Sequence, residues 1–186
     1  MQSQKKYNYS IALLRIFATV SVVVGHLAAD SDGMIALFKF IYSYHIPLFA
    51  FISGYLYYQS MKHYSGFYDM LGKKVKRLLV PYYVGLVAAV LPMHLIIYKD
   101  VPWNLGSIMV YASTALQGEH LWYLQTIFWV TLLFYPLLLL LEKANKPILF
   151  LLVGAVLIGI YLMPLPAYTL VLRYSWYYYI GYLVAR

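Results

Sequence analysis

An apolar run from Ile11 to Ala29 that nevertheless holds Arg15 and His26 sets the terms for the rest of the chain. As a helix rising about 1.5 Å per residue, it is long enough to cross a bilayer core about 30 Å thick. The step from residue 15 to residue 26 is about 1100° of turn at roughly 100° per residue, so both side chains share one face, roughly 16 Å apart along the axis. Ionisable groups at membrane depth cost free energy and usually face a protein interior or a cavity, which makes a functional site the default hypothesis. An equally good alternative has Arg15 snorkelling its stem to the near surface while His26 lies close to the far one.

The class follows from the composition. With 63% hydrophobic residues and only 11% charged, the chain is far from an ordinary soluble domain and reads as an integral membrane protein. It has no cysteine, which excludes disulfides, thiolate nucleophiles and Cys-ligated metals within it. A net charge of +8 would point to nucleic acid in a soluble protein. Here the cations cluster beside apolar spans, where they act as topology signals, and no nucleic-acid partner is expected.

Six spans are predicted, in an all-α polytopic membrane bundle forming a single domain over 1–186. Lys5 and Lys6 precede the first span. A cleaved signal peptide competes for this stretch, but Arg15 within the run and the run's length argue against cleavage. The second span runs from about Met34 to Tyr58 and contains His45, Pro47, Ser53 and Gly54. Pro47 has no N–H for the Ser43 carbonyl, so a kink and a freed acceptor are expected near His45. A polar, basic stretch from Gln59 to Arg77 leads into a third span, Leu78 to Tyr98. Gly106 to Leu116 is apolar but too short to cross and is expected to be interfacial or re-entrant. Gly118, Glu119 and His120 precede the fourth span, Leu121 to Leu141, which opens on Trp122. The fifth is Pro147 to Met163 and the last Ala167 to Ala185.

With both chain ends cytoplasmic, ten basic residues (Lys5, Lys6, Lys62, Lys73, Lys74, Lys76, Arg77, Lys143, Lys146, Arg186) fall inside and three (Lys39, Lys99, Arg173) outside. That asymmetry satisfies the positive-inside rule. The five histidines lie on separate segments without short ligand spacing, so no metal site is expected.

Several runs carry a resemblance. LLRIFATVSVVVGH, Leu13 to His26, is similar to the arginine, ten residues, histidine motif that opens the acyltransferase-3 family of integral membrane acyltransferases. YSYHIPLFAFISGYL, Tyr42 to Leu56, resembles that family's second helix, particularly in its surface-polysaccharide and fucose acetylase branch. KKVKRLLVPYY, Lys73 to Tyr83, is similar to its basic loop leading into a proline, with Lys74 and Arg77 standing where paired arginines are usual. HLWYL, His120 to Leu124, and YYYIGYLVAR, Tyr177 to Arg186, are similar to later segments. Because family members usually carry more than six spans, the chain resembles the amino-terminal part of such an enzyme.

The resemblance implies acyl transfer, most often of acetyl, from cytoplasmic acyl-CoA to a hydroxyl of a cell-surface or lipid-linked glycan, in the plasma or inner membrane. A sugar hydroxyl needs a general base, and His26 suits that role because an unperturbed imidazole titrates at about 6.5. Arg15 is its expected partner, orienting it through intervening groups or holding a negative part of the donor. Lys74 and Arg77, three residues apart, would share a helix face and dock the phosphates of acetyl-CoA. A basic inner loop serving topology and anionic lipid alone is the plain alternative.

His45 is a candidate proton-handling or substrate-binding group, or else a satisfied interhelical histidine. Ser53, beside Gly54, is a weaker substrate contact, since small residues pack membrane helices. Glu119, His120 and Trp122 are candidates for acceptor binding at the outer mouth. The alternative function is a non-enzymatic glycan or lipid transporter or flippase subunit using the same polar stripe, or an inactive remnant of an enzyme.

Overall fold

The computed structural model describes residues 8–29, 33–99, 102–114, 122–164 and 170–186. All regular structure among them is helical. The chain therefore has the all-α architecture of a helical membrane protein. Contacts divide it into two compact units, one of residues 1–59 with 177–186 and the other of residues 60–176.

The first unit is built on α1 (Tyr9–Ala29), α2 (Ile35–Met61) and the end of α8 (Leu170–Ala185). Asn8 caps α1: its Oδ1 accepts from the Ile11 amide at 3.2 Å, satisfying one of the orphan donors of the first turn. Its Nδ2 donates to the Tyr55 hydroxyl at 2.8 Å, tying the cap to α2. Ile11, Ala18, Ser21, Gly25 and Ala28 form the packed face of α1, a spacing that keeps them on one side of the helix. Its far side exposes Leu13, Ile16, Phe17, Val20, Val23 and Leu27, an apolar surface suited to lipid.

α2 continues as one helix through Pro47. Nearer its end, α2 crosses α8 at a pair of glycines. A Cβ on Gly54 would run into the Tyr178 carbonyl, and one on Gly181 into the Phe51 carbonyl. The two backbones touch directly, as small residues allow. Tyr57, Tyr178, Tyr179 and Tyr182 are fully buried around this crossing.

In the second unit one continuous helical segment occupies Phe67–Tyr98, 32 residues. The basic stretch predicted as a loop up to Arg77 is thus largely helical: α3 (Phe67–Lys74) carries Lys73 and Lys74, and helix runs on without a break. At about 1.5 Å per residue the segment is about 48 Å long, so its polar first turns stand outside a core about 30 Å thick. Two π turns, Val75–Leu79 and Leu86–Val90, flank α4 (Val80–Gly85). Each closes on the residue just before a proline: the Val80 amide donates to the Val75 carbonyl and the Leu91 amide to the Leu86 carbonyl. Pro81 and Pro92 cannot donate and would crowd the carbonyl four residues back; the wider turn makes room for the ring.

α5 (Leu105–Thr114) is a 10-residue helix capped by Asn104, whose Oδ1 accepts from the Ser107 amide at 2.8 Å. α6 (Trp122–Ala144) is the core of this unit, with Ile127, Phe128, Val130, Phe134, Leu138 and Leu141 buried along it. Asn145 turns the chain with a φ of 46°, a left-handed conformation that asparagine tolerates. Pro147 then starts α7 (Pro147–Leu162), with its fixed φ suited to the first helical position.

Among the described residues, four helical segments are long and apolar enough to cross a membrane: 9–28, 35–61, 67–98 and 122–144. α7 is a shorter apolar helix of 16 residues, and the described part of α8 (Leu170–Ala185) also has 16.

Candidate functional site

α1 is continuous, so Arg15 and His26 do share a stripe, joined by Thr19. Taking about 100° per residue, these three fall within about 40° of one another and roughly 100° around from the centre of the packed face. They form a polar border between the packed face and the lipid-suited one. Arg15 is exposed within its unit. Spacing relates Arg15 to His26 but does not fix the phase of the pair against the packed face, which Ala18, Ser21 and Gly25 decide. Arg15 lines a surface groove of about 350 Å³ together with Ala12, Ile16, Thr19 and Val20. The Thr19 hydroxyl is turned back on the backbone, donating to the Arg15 carbonyl at 2.9 Å.

His26 is half-buried. Its Nδ1 stands 3.4 Å from the Tyr42 hydroxyl of α2, and the two rings meet edge to face with centroids 6.1 Å apart. His45 follows on α2 as a buried residue whose ring lies 4.6 Å from that of Tyr42. The His45 Nδ1 is 2.8 Å from the Ile41 carbonyl. A carbonyl only accepts, so this nitrogen carries the hydrogen and the neutral ring keeps its lone pair on Nε2. His26 and His45, singled out separately in the sequence, are therefore brought together through Tyr42. One step along α1, Ser21 and Tyr44 share a hydrogen bond of 3.0 Å, a second polar tie between α1 and α2. Tyr42 and Tyr44 fall in the run that resembles the family's second helix, but the sequence assigns neither a role among its 22 tyrosines. Ser53 is half-buried beside Gly54 at the helix crossing.

The basic residues of the second unit are sorted by α3. Asp69 accepts from the Ser65 amide at 3.0 Å and pairs with Lys73 at 2.7 Å. These bonds, Lys73 foremost, hold its carboxyl below the usual range. The Lys73 ammonium also lies over the Tyr64 ring, 5.3 Å from its centroid. Lys74 is half-buried and Arg77 exposed. Desolvation, followed by repulsion from the Arg77 guanidinium, brings the Lys74 ammonium down to about 8. The π turn that begins at Val75 separates the two cations more widely than α spacing does.

Trp122 opens α6 half-buried, its ring 5.8 Å from that of Tyr174. Glu119 and His120 lie outside the described residues. Deeper in the same unit, the Tyr82 hydroxyl and the Gln125 Oε1 are buried without a protein hydrogen-bond partner. Among the described residues no cluster of three or more His, Cys, Asp or Glu is gathered.

Comparison with curated proteins and with solved structures returned no significant match. A family model described as an acyltransferase domain, Acyl_transf_3, matches residues 8–186, taking in the α1 stripe, the α2 histidine, the basic helix and the final tyrosines alike. With nearly the whole sequence inside that match, the chain belongs to the acyltransferase-3 family of membrane acyltransferases.

Proposed function

We propose that the protein is an O-acyltransferase that moves an acyl group, acetyl first among them, from cytoplasmic acyl-CoA to a hydroxyl of a cell-surface or lipid-linked glycan. The observation that carries this assignment is the half-buried imidazole of His26, oriented by a hydroxyl from a second helix and set on one stripe with a guanidinium. An alcohol is a poor nucleophile until its proton is taken, and imidazole does this near neutral pH. His26 accepts the proton as the alcohol oxygen attacks the thioester carbonyl. The CoA sulfur then leaves and takes that proton back as a thiol, so the products are an O-ester and free CoA. Arg15 offers a fixed fork to a phosphate or to developing negative charge. Lys74 and Arg77 suit the donor's phosphates: one is partly desolvated and both are cationic. Both chain ends on the cytoplasmic side agree with the distribution of basic residues.

The test uses the full chain in its native membranes with radiolabelled acetyl-CoA. Label should pass to glycan in a linkage released by mild base, and His26→Ala should abolish the transfer at equal protein level. Normal transfer by His26→Ala removes the assigned base. Wild-type protein that moves glycan across the membrane without acylating it overturns the function.

A further inference from the structure

The contact between His26 and Tyr42 is more constrained than one hydrogen bond requires. The Tyr42 ring is held on three sides. Phe38, one turn earlier on α2, lies 4.2 Å away between centroids, and His45, one turn later, lies 4.6 Å away with its plane at 74°. Gly25 of α1 closes the third side. A Cβ there would fall 3.1 Å from Cε2 of Tyr42 and 3.1 Å from Cγ2 of Ile41, tighter than ordinary contact. The missing side chain lets the phenol lie against α1, where its hydroxyl reaches the very next residue, His26. His45 is a firm neighbour because its own Nδ1–H is committed to the Ile41 carbonyl.

A neutral imidazole carries its hydrogen on one nitrogen, chosen by the hydrogen bond the ring makes. A base working through Nε2 needs that hydrogen on Nδ1. We propose that Tyr42 is a positioning residue: its hydroxyl oxygen accepts the Nδ1 hydrogen of His26 and so fixes the tautomer whose Nε2 receives the proton of the acceptor alcohol. This rests on the assignment of His26 as the base. As Nε2 is protonated, the Nδ1–H···O bond becomes charge-assisted and shortens. The resting separation of 3.4 Å is long in the way catalytic hydrogen bonds often are before substrate binds.

Tyr42→Phe deletes only the oxygen and keeps the ring against Phe38, His45 and Gly25. The experiment records ¹⁵N spectra of the full chain, labelled at histidine, in detergent, with the His26 signals identified by their loss in His26→Ala. Wild-type His26 should show its hydrogen on Nδ1, and Tyr42→Phe should shift the population towards Nε2–H. In parallel, kcat should fall about ten- to a hundredfold, with KM for acetyl-CoA within about twofold. Gly25→Ala, which displaces the ring without touching its oxygen, should move both readouts the same way and stands in if Tyr42→Phe does not fold. A wild-type His26 protonated on Nε2, or unchanged His26 signals in the variant that folds, overturns the proposal. The spectra need no turnover, so an active His26→Ala enzyme would refute the base while the Tyr42 contact is still measured on its own.

Discussion

The crossing of α2 and α8 at Gly54 and Gly181 supports a quantitative prediction. The two glycines are reciprocal: each abuts the carbonyl three residues before the other, Phe51 before Gly54 and Tyr178 before Gly181. Substituting either by alanine puts a methyl group on a backbone oxygen, which cannot swing aside as a flexible side chain does. A C···O contact relaxes at about 3.3–3.6 Å, so the helices must part by more than about an ångström. A gap of about 0.5–1 Å already forfeits a quarter to a half of the dispersion energy of the atoms it separates. The atoms at stake include the ring pairs Tyr57–Tyr178 and Tyr58–Tyr182, 5.9 and 5.4 Å between centroids. Either single substitution should therefore cost about 3 kcal/mol, the upper part of the range for overpacking. Once the helices have parted for one methyl group, the second finds space already made. The double variant should cost well under the sum, with a coupling of about 1–2 kcal/mol. Reversible unfolding of the purified chain in mixed detergent, across the four proteins of the cycle, measures this directly. Single variants within about 0.5 kcal/mol of wild type, or strict additivity, would refute the direct backbone contact.

Two further predictions concern the second unit. Tyr82→Phe removes a buried hydroxyl that has no protein partner, and should stabilise the chain by about 1 kcal/mol in the same unfolding assay; a loss of that size would mean that the hydroxyl holds a water or ligand. Lys74, brought down to about 8, loses its charge above that pH, whereas an ordinary lysine stays charged to about 10.4. KM for acetyl-CoA should then rise as pH passes 8 in the wild type and stay flat in Lys74→Arg; a flat wild-type profile would separate Lys74 from the donor. The same depressed value means that the unfolded chain binds more protons between about 8 and 10.4, so this residue's contribution to stability grows as pH rises through that window.

Much of the architecture was legible because the bilayer imposes it. Long apolar runs leave helix as the economical choice, and α1, α2, α6 and α7 begin and end within a few residues of their predicted bounds. α3 is hard to read from sequence because its eight residues carry little hydrophobicity, so a charged stretch that is helical resembles a loop. Pro81 and Pro92 were visible, but not the π turns that accommodate them, since the adjustment belongs to the backbone before each ring. At the candidate site, the common stripe of Arg15 and His26 follows from spacing alone. The exposure of Arg15 and the place of Tyr42 do not, because both depend on which face of α1 meets α2. Gly54 was legible as a packing residue, whereas its partner Gly181 lies 127 positions later in the chain and no local signal links them.

The π turns ahead of Pro81 and Pro92 also govern how the segment from Phe67 to Tyr98 meets its neighbours. Each takes up one residue more than a regular turn, so everything beyond it is rotated by about 100° from the phase the preceding residues set. After both, the residues just beyond Leu91 are out of step with the first turns by more than half a revolution, and a further π stretch, Met93–Tyr98, completes the segment. A helical wheel drawn straight through it would put Leu95 and Met70, both buried, within about 20° of each other, a match of phase that the π turns remove. The segment behaves instead as three shorter pieces spliced end to end, each keyed to its own surroundings, and dropping one residue at a splice would re-aim every side chain on one side of it.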